Sequence, residues 1–339
     1  MNVYTKEQFY TDANRFLVHL FSELEKNKIV LKKHWNIDHL CYRTETLEDY
    51  HDFKIYFSNF CHLLIESEVN GRMISTFKLS KPIKIKDWTI DVVELPAPKI
   101  GKRTEAGFEH IEVVCDVDFD EIKNRYPNCK FDENGLKKDF NKELEIQLSK
   151  CALKFHHLAL ESVINLERNN RVFSVIKKAN ILALLKLFNP LIVGTFPLDI
   201  HNQNSDVDII LSAHDLTEVT TQIKNHFSKL ENFSIQDYHV ANEYTVISNF
   251  IFENIHFELF AQRISSVKQI ANMHFLIEER LLKLCGKKLK DEILKARDCG
   301  DKTETAFAKI LQLNGDPYES LLQLQTMSEA QLNKVLRKQ

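Results

Sequence analysis

One order of elements, strand–helix–strand–strand–strand, runs twice through the first half of this chain, and few folds accommodate such a repeat. After a helical stretch at residues 6–28, Asn36 to Arg43 alternates like a strand and Glu45 to Phe60 returns to helical spacing. His62 to Val69 and Arg72 to Leu79 read as strands either side of Asn70-Gly71, a dipeptide suited to a two-residue hairpin turn. Trp88 to Leu95 is a further strand, ended by Pro96 and Pro98. The second copy runs through a strand at Phe108 to Cys115 and a helix at Phe119 to Tyr126. Strand-like pieces follow through Lys130-Phe131, Leu144 to Leu148 and Ala152 to His157. The two opening strands carry matching text, Ile37-Asp38-His39-Leu40 and Glu109-His110-Ile111. This predicts a duplicated βαβββ unit.

The second half differs. Leu160 to Phe188 is helical, with the polar break Arg168-Asn169-Asn170-Arg171 marking a domain boundary. Strands at Leu191 to Gly194 and Val207 to Leu211 precede a helix at Leu216 to Leu230. A hairpin follows, Tyr244 to Phe252 and Ile255 to Phe260 about a turn at Glu253-Asn254, and Ser265 to Lys338 is helical. The expectation is an α+β protein of two domains, residues 1–165 with paired βαβββ modules and residues 172–339 with a helical tail, as a length of 339 residues also implies.

Composition narrows the function. Only 8 glycines exclude a glycine-rich phosphate loop. A net charge of −3 does not point to nucleic acid, although it leaves room for a local basic groove. Seven cysteines without a C-x-x-C pair argue against a disulfide framework or zinc knuckle and for a reducing, cytoplasmic setting. The opening residues lack the uninterrupted apolar run of a signal peptide, and the most apolar stretch, ILALLKLFNPLIVGTF, falls short of the ~20 residues a membrane span needs.

Three carboxylates stand out in the second half. Asp206 and Asp208, in SDVDIIL, project from one face of a strand while Val207, Ile209 and Leu211 project from the other. Glu258, in HFELF, opposes Phe257 and Leu259. Like charges side by side repel unless a cation lies between them, and carboxylate oxygens suit Mg²⁺. The bland reading makes Asp206 and Asp208 edge-strand gatekeepers and Glu258 a solvated strand residue. With Gly194-Thr195 upstream, the set resembles the nucleotidyltransferase (polymerase-β-like) fold, here with Thr195 for the usual Ser and Glu258 for the usual Asp. The resemblance implies Gly194 and Thr195 beside a nucleoside triphosphate, with Asp206, Asp208 and Glu258 as catalytic ligands of Mg²⁺ or Mn²⁺. The blocks HFLIEERLL (274–282), KTETAFAK (302–309) and Gly315-Asp316-Pro317-Tyr318 extend it to an uncharacterised family of this fold over about residues 172–325. His274 and Glu278, one helical turn apart, either face the cleft or pair at the surface, and the lysines after Leu282 read as a solvated helix face.

The first half carries a histidine–carboxylate set. Trp88, Ile90, Val92 and Glu94 share one strand face, and a carboxylate in line with apolar groups is costly to bury unless paired or metal-bound. His39 and His110 occupy equivalent positions in the two repeats, and two histidines with a glutamate suit a divalent transition metal with open coordination positions. The alternative is a pair of hydrogen-bonded core histidines with Glu94 bridged to Arg43 or Arg72. A fourth ligand falls on His156 or His157; strand parity does not settle which, although Leu153 and Phe155 hint that His157 points inward. HLCYR (39–43), Asn70-Gly71-Arg72, Phe77-Lys78-Leu79, VELPAPK (93–99) and GFEHIEVV (107–114) resemble the YecM family of the vicinal-oxygen-chelate superfamily, over about residues 10–165. That resemblance implies paired βαβββ modules curled round a metal pocket that chelates neighbouring oxygens of a small molecule. It also favours His156 as the fourth ligand. Glu112 reads as a supporting partner or alternative ligand, and Cys41, on the same face as His39, has no assigned role.

The expected function is thus a metal-dependent isomerase-, oxygenase- or lyase-type domain joined to a Mg²⁺-dependent nucleotidyltransferase. Its rival is a non-catalytic ligand-sensing module.

Overall fold

The computed structural model describes residues 4–69, 71–99, 101, 105–240 and 243–336. The chain forms two compact units, Met1–Cys115 with Phe119–Leu160, and Asp116–Asp118 with Glu161–Gln339. Asn70 of the expected hairpin turn, and Lys338 at the end of the expected helical tail, lie outside the described residues. Gly71 keeps the positive φ of +75° that such a turn needs.

The first unit begins with α1 (Lys6–Lys26), capped by the Thr5 side chain, which accepts from the Gln8 amide. Its buried stripe includes Phe9, Ala13, Phe16, Leu17 and Leu20. Then come β1 (Asn36–Arg43), α2 (Leu47–Ser58), β2 (Cys61–Val69), β3 (Arg72–Ile85) and β4 (Trp88–Pro96). The second set is β5 (Gly107–Val114), α3 (Phe119–Arg125), β6 (Lys130–Asp132), β7 (Leu144–Leu148) and β8 (Cys151–His156). The strands form one eight-stranded sheet, β2-β3-β4-β1-β5-β8-β7-β6. In each module the first strand pairs parallel with the fourth, the fourth antiparallel with the third, and the third antiparallel with the second. The duplication legible in the sequence is therefore a duplication of topology, with β1 and β5 joined antiparallel at the centre. The strand expected to stop at Leu79 continues to Ile85 through a register shift between Lys78 and Ile83, where Pro82 has no N–H to give the ladder.

The second unit holds α4 (Leu160–Arg168), α5 (Asn170–Ala179), α6 (Ile181–Leu184), β9 (Leu191–Val193), β10 (Val207–Ser212), α7 (Leu216–Phe227), β11 (Glu231–Val240), β12 (Glu243–Phe252) and β13 (Ile255–Gln262). The helices α8 (Ile270–Asp298), α9 (Thr303–Ile310), α10 (Pro317–Gln325) and α11 (Glu329–Leu336) complete it. The polar break proves to be a helix start, Asn169 capping α5 through the Val172 amide. The sheet order is β11-β12-β13-β10-β9, with β10 and β13 parallel. One face of β10 and β13, carrying Val207, Ile209, Phe257 and Leu259, is buried, as are Val219, Ile223 and Phe227 of α7. Edge strand β11 escaped the sequence reading because its residues are largely exposed and leave no buried alternation to detect. No described helix is long and apolar enough to cross a membrane.

Candidate metal and nucleotide sites

At the centre of the first sheet, register decides which side chains meet. Cys41 lies opposite Glu94 on β4 and opposite His110 on β5, while His39 lies opposite Glu112, which in turn lies opposite Lys154 on β8. Directly opposed residues share a sheet face. His39, Glu94 and His110 each bring a donor atom within 4.8 Å of the others, and Cys41, Glu109 and His110 form a second such group. The two histidines are almost wholly buried, 2% and 1% exposed.

Their ring nitrogens divide the work. His39 Nδ1 lies 2.9 Å from Asp38 Oδ2, and His110 Nδ1 lies 3.0 Å from Glu109 Oε2. An ionised carboxylate only accepts, so each Nδ1 carries the hydrogen. Each buried Nε2 makes no well-aligned hydrogen bond and has the Glu112 carboxylate as its polar neighbour. A carboxylate behind Nδ1 with Nε2 aimed at a common point is the arrangement that orients metal-binding imidazoles. The alternative pairing of Glu94 is not what forms: Arg43 binds Glu109, and Arg72 donates to the Ala97 carbonyl at 3.2 Å.

The electrostatics agree. Burial disfavours a charged His39, yet Glu112 and Asp38 outweigh it and lift its pKa well above the usual imidazole value. Burial likewise opposes charging His110, but neighbouring Cys41 and Glu109 raise it to about 10 against the opposing Lys154. Burial alone would push Glu112 up, but Lys154, His39 and His110 hold it well below the carboxylate range. Its Oε1 sits 3.2 Å from His110 Nε2 and 3.6 Å from His39 Nε2. The pocket draws positive charge to the two Nε2 atoms.

The fourth expected ligand is displaced. Exchanging the two modules maps His39 onto His110, Cys41 onto Glu112, and Glu94, beside Cys41, onto Lys154, beside Glu112. The second module thus offers an ammonium, 3.2 Å from Glu112, where the first offers a carboxylate. His156 falls two residues further along β8, opposite Val114, with Nε2 3.4 Å from Asp38 and Nδ1 3.3 Å from the Asn141 amide nitrogen. It joins neither group of converging donors among the described residues. Burial is the main reason its pKa is lowered. His157 stacks on Phe119 with ring centroids 4.4 Å apart, so the parity hint for it also fails.

In the second unit, Asp208 and Glu258 are cross-strand neighbours on β10 and β13, and Asp206 immediately precedes β10. Gly194 follows β9 with φ +76°, and a Cβ there would lie 2.0 Å from Asp208 Oδ2. Glycine is required twice, for the dihedral and for the close approach. Gly194→Ala is expected to cost about 1–2 kcal/mol from the left-handed backbone alone and to push the Asp208 carboxylate aside. Calorimetry with and without Mg²⁺ checks both effects, as a lower midpoint and a diminished response to the ion. Thr195 is buried, 8% exposed, and its carbonyl accepts from the Ile200 amide at 3.1 Å.

Burial, then Asp206, Glu258 and Glu304, push Asp208 well above the carboxylate range against Arg297. Burial and Asp206 likewise raise Glu258, with Lys302 opposing. The acids do not close to the 4.8 Å spacing of the first unit's groups among the described residues. A raised carboxylate pKa means the folded state holds more protons than the unfolded one, so stability falls as pH rises from the ordinary carboxylate value through the folded one. Asp208→Asn removes that penalty. The ion-free variant is expected to melt higher than wild type at pH 8, with the gap closing towards pH 4, as thermal unfolding in chelator at both pH values will show.

The sequence reading left Glu278 between the cleft and the surface and gave Glu304 no role. Glu278 on α8 is 3% exposed with Oε1 unpartnered, and burial followed by Glu304 lifts its pKa well above the usual range. Asp208 adds to that shift. His274 instead places Nε2 3.0 Å from the Tyr318 carbonyl oxygen. Arg297 binds Thr303 Oγ1 and donates to Ser205 Oγ at 3.2 Å, tying the start of α9 to the residue before Asp206. Glu278 and Glu304 lie inside the blocks HFLIEERLL and KTETAFAK, which was the available signal. Lys287 pairs with Asp291 and Lys290 with Asp199, consistent with a solvated face.

Comparison with known proteins divides the chain in the same way. Residues 5–167 match the family model described as YecM protein, and residues 174–324 match a domain of unknown function, DUF4269. The N-terminal half resembles the YecM family. Protein YecM of Escherichia coli is 27% identical, covering 47% of this chain and 92% of that protein. An uncharacterised protein of Haemophilus influenzae is 35% identical over 91 residues, which span 27% of this chain and about half, 48%, of that relative. Among solved structures, Protein EC4020 is 25% identical with a TM-score of 0.39, covering 48% of this chain and 95% of that one. The Cid1 poly(U) polymerase, in a MgGTP-bound structure, is 13% identical with a TM-score of 0.30, covering 46% of this chain and 48% of that one. The C-terminal half matches only a domain of unknown function.

Proposed function

We propose that the chain fuses a metal-dependent, YecM-like domain for a small oxygen-rich molecule to a nucleotidyltransferase that uses Mg²⁺ or Mn²⁺ and a nucleoside triphosphate. The observation carrying the second activity is a half-buried Asp208, crowded by Asp206 and Glu258, against which Gly194 alone leaves room. Asp206, Asp208 and Glu258 would hold the cation. When bound, it neutralises phosphate oxygens and orients in-line attack at phosphorus. Gly194 and Thr195 border the triphosphate, the glycine by exposing backbone where a side chain would collide with Asp208.

In the first domain, His39, Glu94 and His110 would hold a divalent transition metal, which supplies polarisation of chelated neighbouring oxygens. Asp38 and Glu109 fix the hydrogen on each Nδ1 and so keep each Nε2 directed inward. Glu112 and Lys154 leave a paired carboxylate and ammonium beside the pocket, suited to holding a polar substrate. Incubation of purified protein with labelled triphosphates and Mg²⁺ or Mn²⁺ tests the transferase. Turnover that chelator abolishes is the expected result, and none with any of the four triphosphates, with or without small acceptors and RNA, overturns it. Elemental analysis tests the first domain, where about one transition-metal ion per N-terminal site is expected.

A further inference from the structure

We propose that Cys41 is a thiolate donor to the ion held at His110, making the N-terminal centre select Zn²⁺ or Co²⁺ over Mg²⁺ and Mn²⁺. The inference rests on the metal-site reading above and names a ligand which that reading lacks. Cys41 is fully buried, 0% exposed, and free of any disulfide. It lies in the sheet row between Glu94 and His110, both direct cross-strand partners. Its sulfur, a Glu109 oxygen and a His110 nitrogen all lie within 4.8 Å of one another, and His110 also belongs to the group with His39 and Glu94. The two donor groups therefore share the His110 imidazole, and the buried Nε2 of both His39 and His110 makes no well-aligned hydrogen bond, Glu112 Oε1 lying 3.6 and 3.2 Å away.

Module symmetry explains the need for a sulfur. Cys41 is the counterpart of Glu112, and Glu112 is engaged by Lys154 at 3.2 Å. With an ammonium standing where a second Glu94 would be, the remaining donor on this face is the thiol. Coordination breaks the S–H bond, forms a sulfur–metal bond and releases the proton to solvent. A set of two imidazoles, one carboxylate and one thiolate suits borderline-soft divalent ions, whereas Mg²⁺ prefers oxygen ligands alone.

The test uses the full chain, stripped with chelator, kept reduced with a phosphine and titrated with Co²⁺ in excess Mg²⁺, so that oxygen-only sites are filled. The expected spectrum has visible ligand-field bands together with a near-ultraviolet thiolate-to-cobalt charge-transfer band. Cys41→Ser should lose the charge-transfer band and Cys151→Ser should keep it. Should Cys41→Ser fail to fold, Zn-edge X-ray absorption of the wild-type protein, with sulfur scattering expected in the first shell and none overturning the assignment, supplies the same answer. Visible bands without charge transfer, or charge transfer surviving Cys41→Ser, overturn the Cys41 assignment while leaving His39, Glu94 and His110 in place. Identical spectra from wild type and His39→Ala, with no visible bands, overturn both.

Discussion

Asp208→Ala is expected to lose about 10³-fold or more in triphosphate turnover, roughly 4 kcal/mol of transition-state stabilisation. The size follows from position. Of the three acids, Asp208 is the one against which Gly194 is held open. Asp206→Ala should act similarly, being the neighbour that raises both Asp208 and Glu258. The ion-free Asp208→Ala protein should nevertheless be folded, because the substitution removes a half-buried group that repels its surroundings. Loss of turnover with an intact melting transition is thus the predicted pairing. Equal turnover in wild type and both variants would remove the transferase assignment.

His39→Ala and Glu94→Ala are expected to lower the N-terminal transition-metal content from about one ion per chain to near zero, with loss of a ligand exceeding the 10–100-fold in affinity typical of a supporting partner. His156→Ala is the informative control. Its ring faces Asp38 and Asn141 rather than the converging donors, so that variant should retain its metal. Asp38→Asn should fall between the two: it keeps the hydrogen bond to His39 Nδ1 but withdraws the negative charge behind it. Elemental analysis of the purified variants, with folding checked by circular dichroism, separates these cases. Metal content unchanged in His39→Ala and Glu94→Ala would place the ion elsewhere.

Much of both sites was legible because strands write their geometry into alternate positions. The parity of Asp206 and Asp208 about Val207, of Glu94 beyond Ile90 and Val92, and the repeated His39 and His110 each follow from a period of two. That period says nothing of which strand lies alongside. A family likeness rather than register singled out His156, which lies two residues along β8 from Lys154, the counterpart of Glu94. Glu304 was given no role and Glu278 was left between the cleft and the surface, since a helix of α8's length passes through several environments and its sequence does not state which turn meets the sheet.

By itself the sequence determined the two α+β units, the duplicated βαβββ order and the residue types able to bind a cation, because periodicity and turn chemistry are local. Only the tertiary structure decided that Cys41 stands between Glu94 and His110, that Lys154 neutralises Glu112, and that Gly194 must yield space to Asp208. Those relations arise from hydrogen-bonded register and backbone approach between segments far apart in the chain, and no local pattern encodes them.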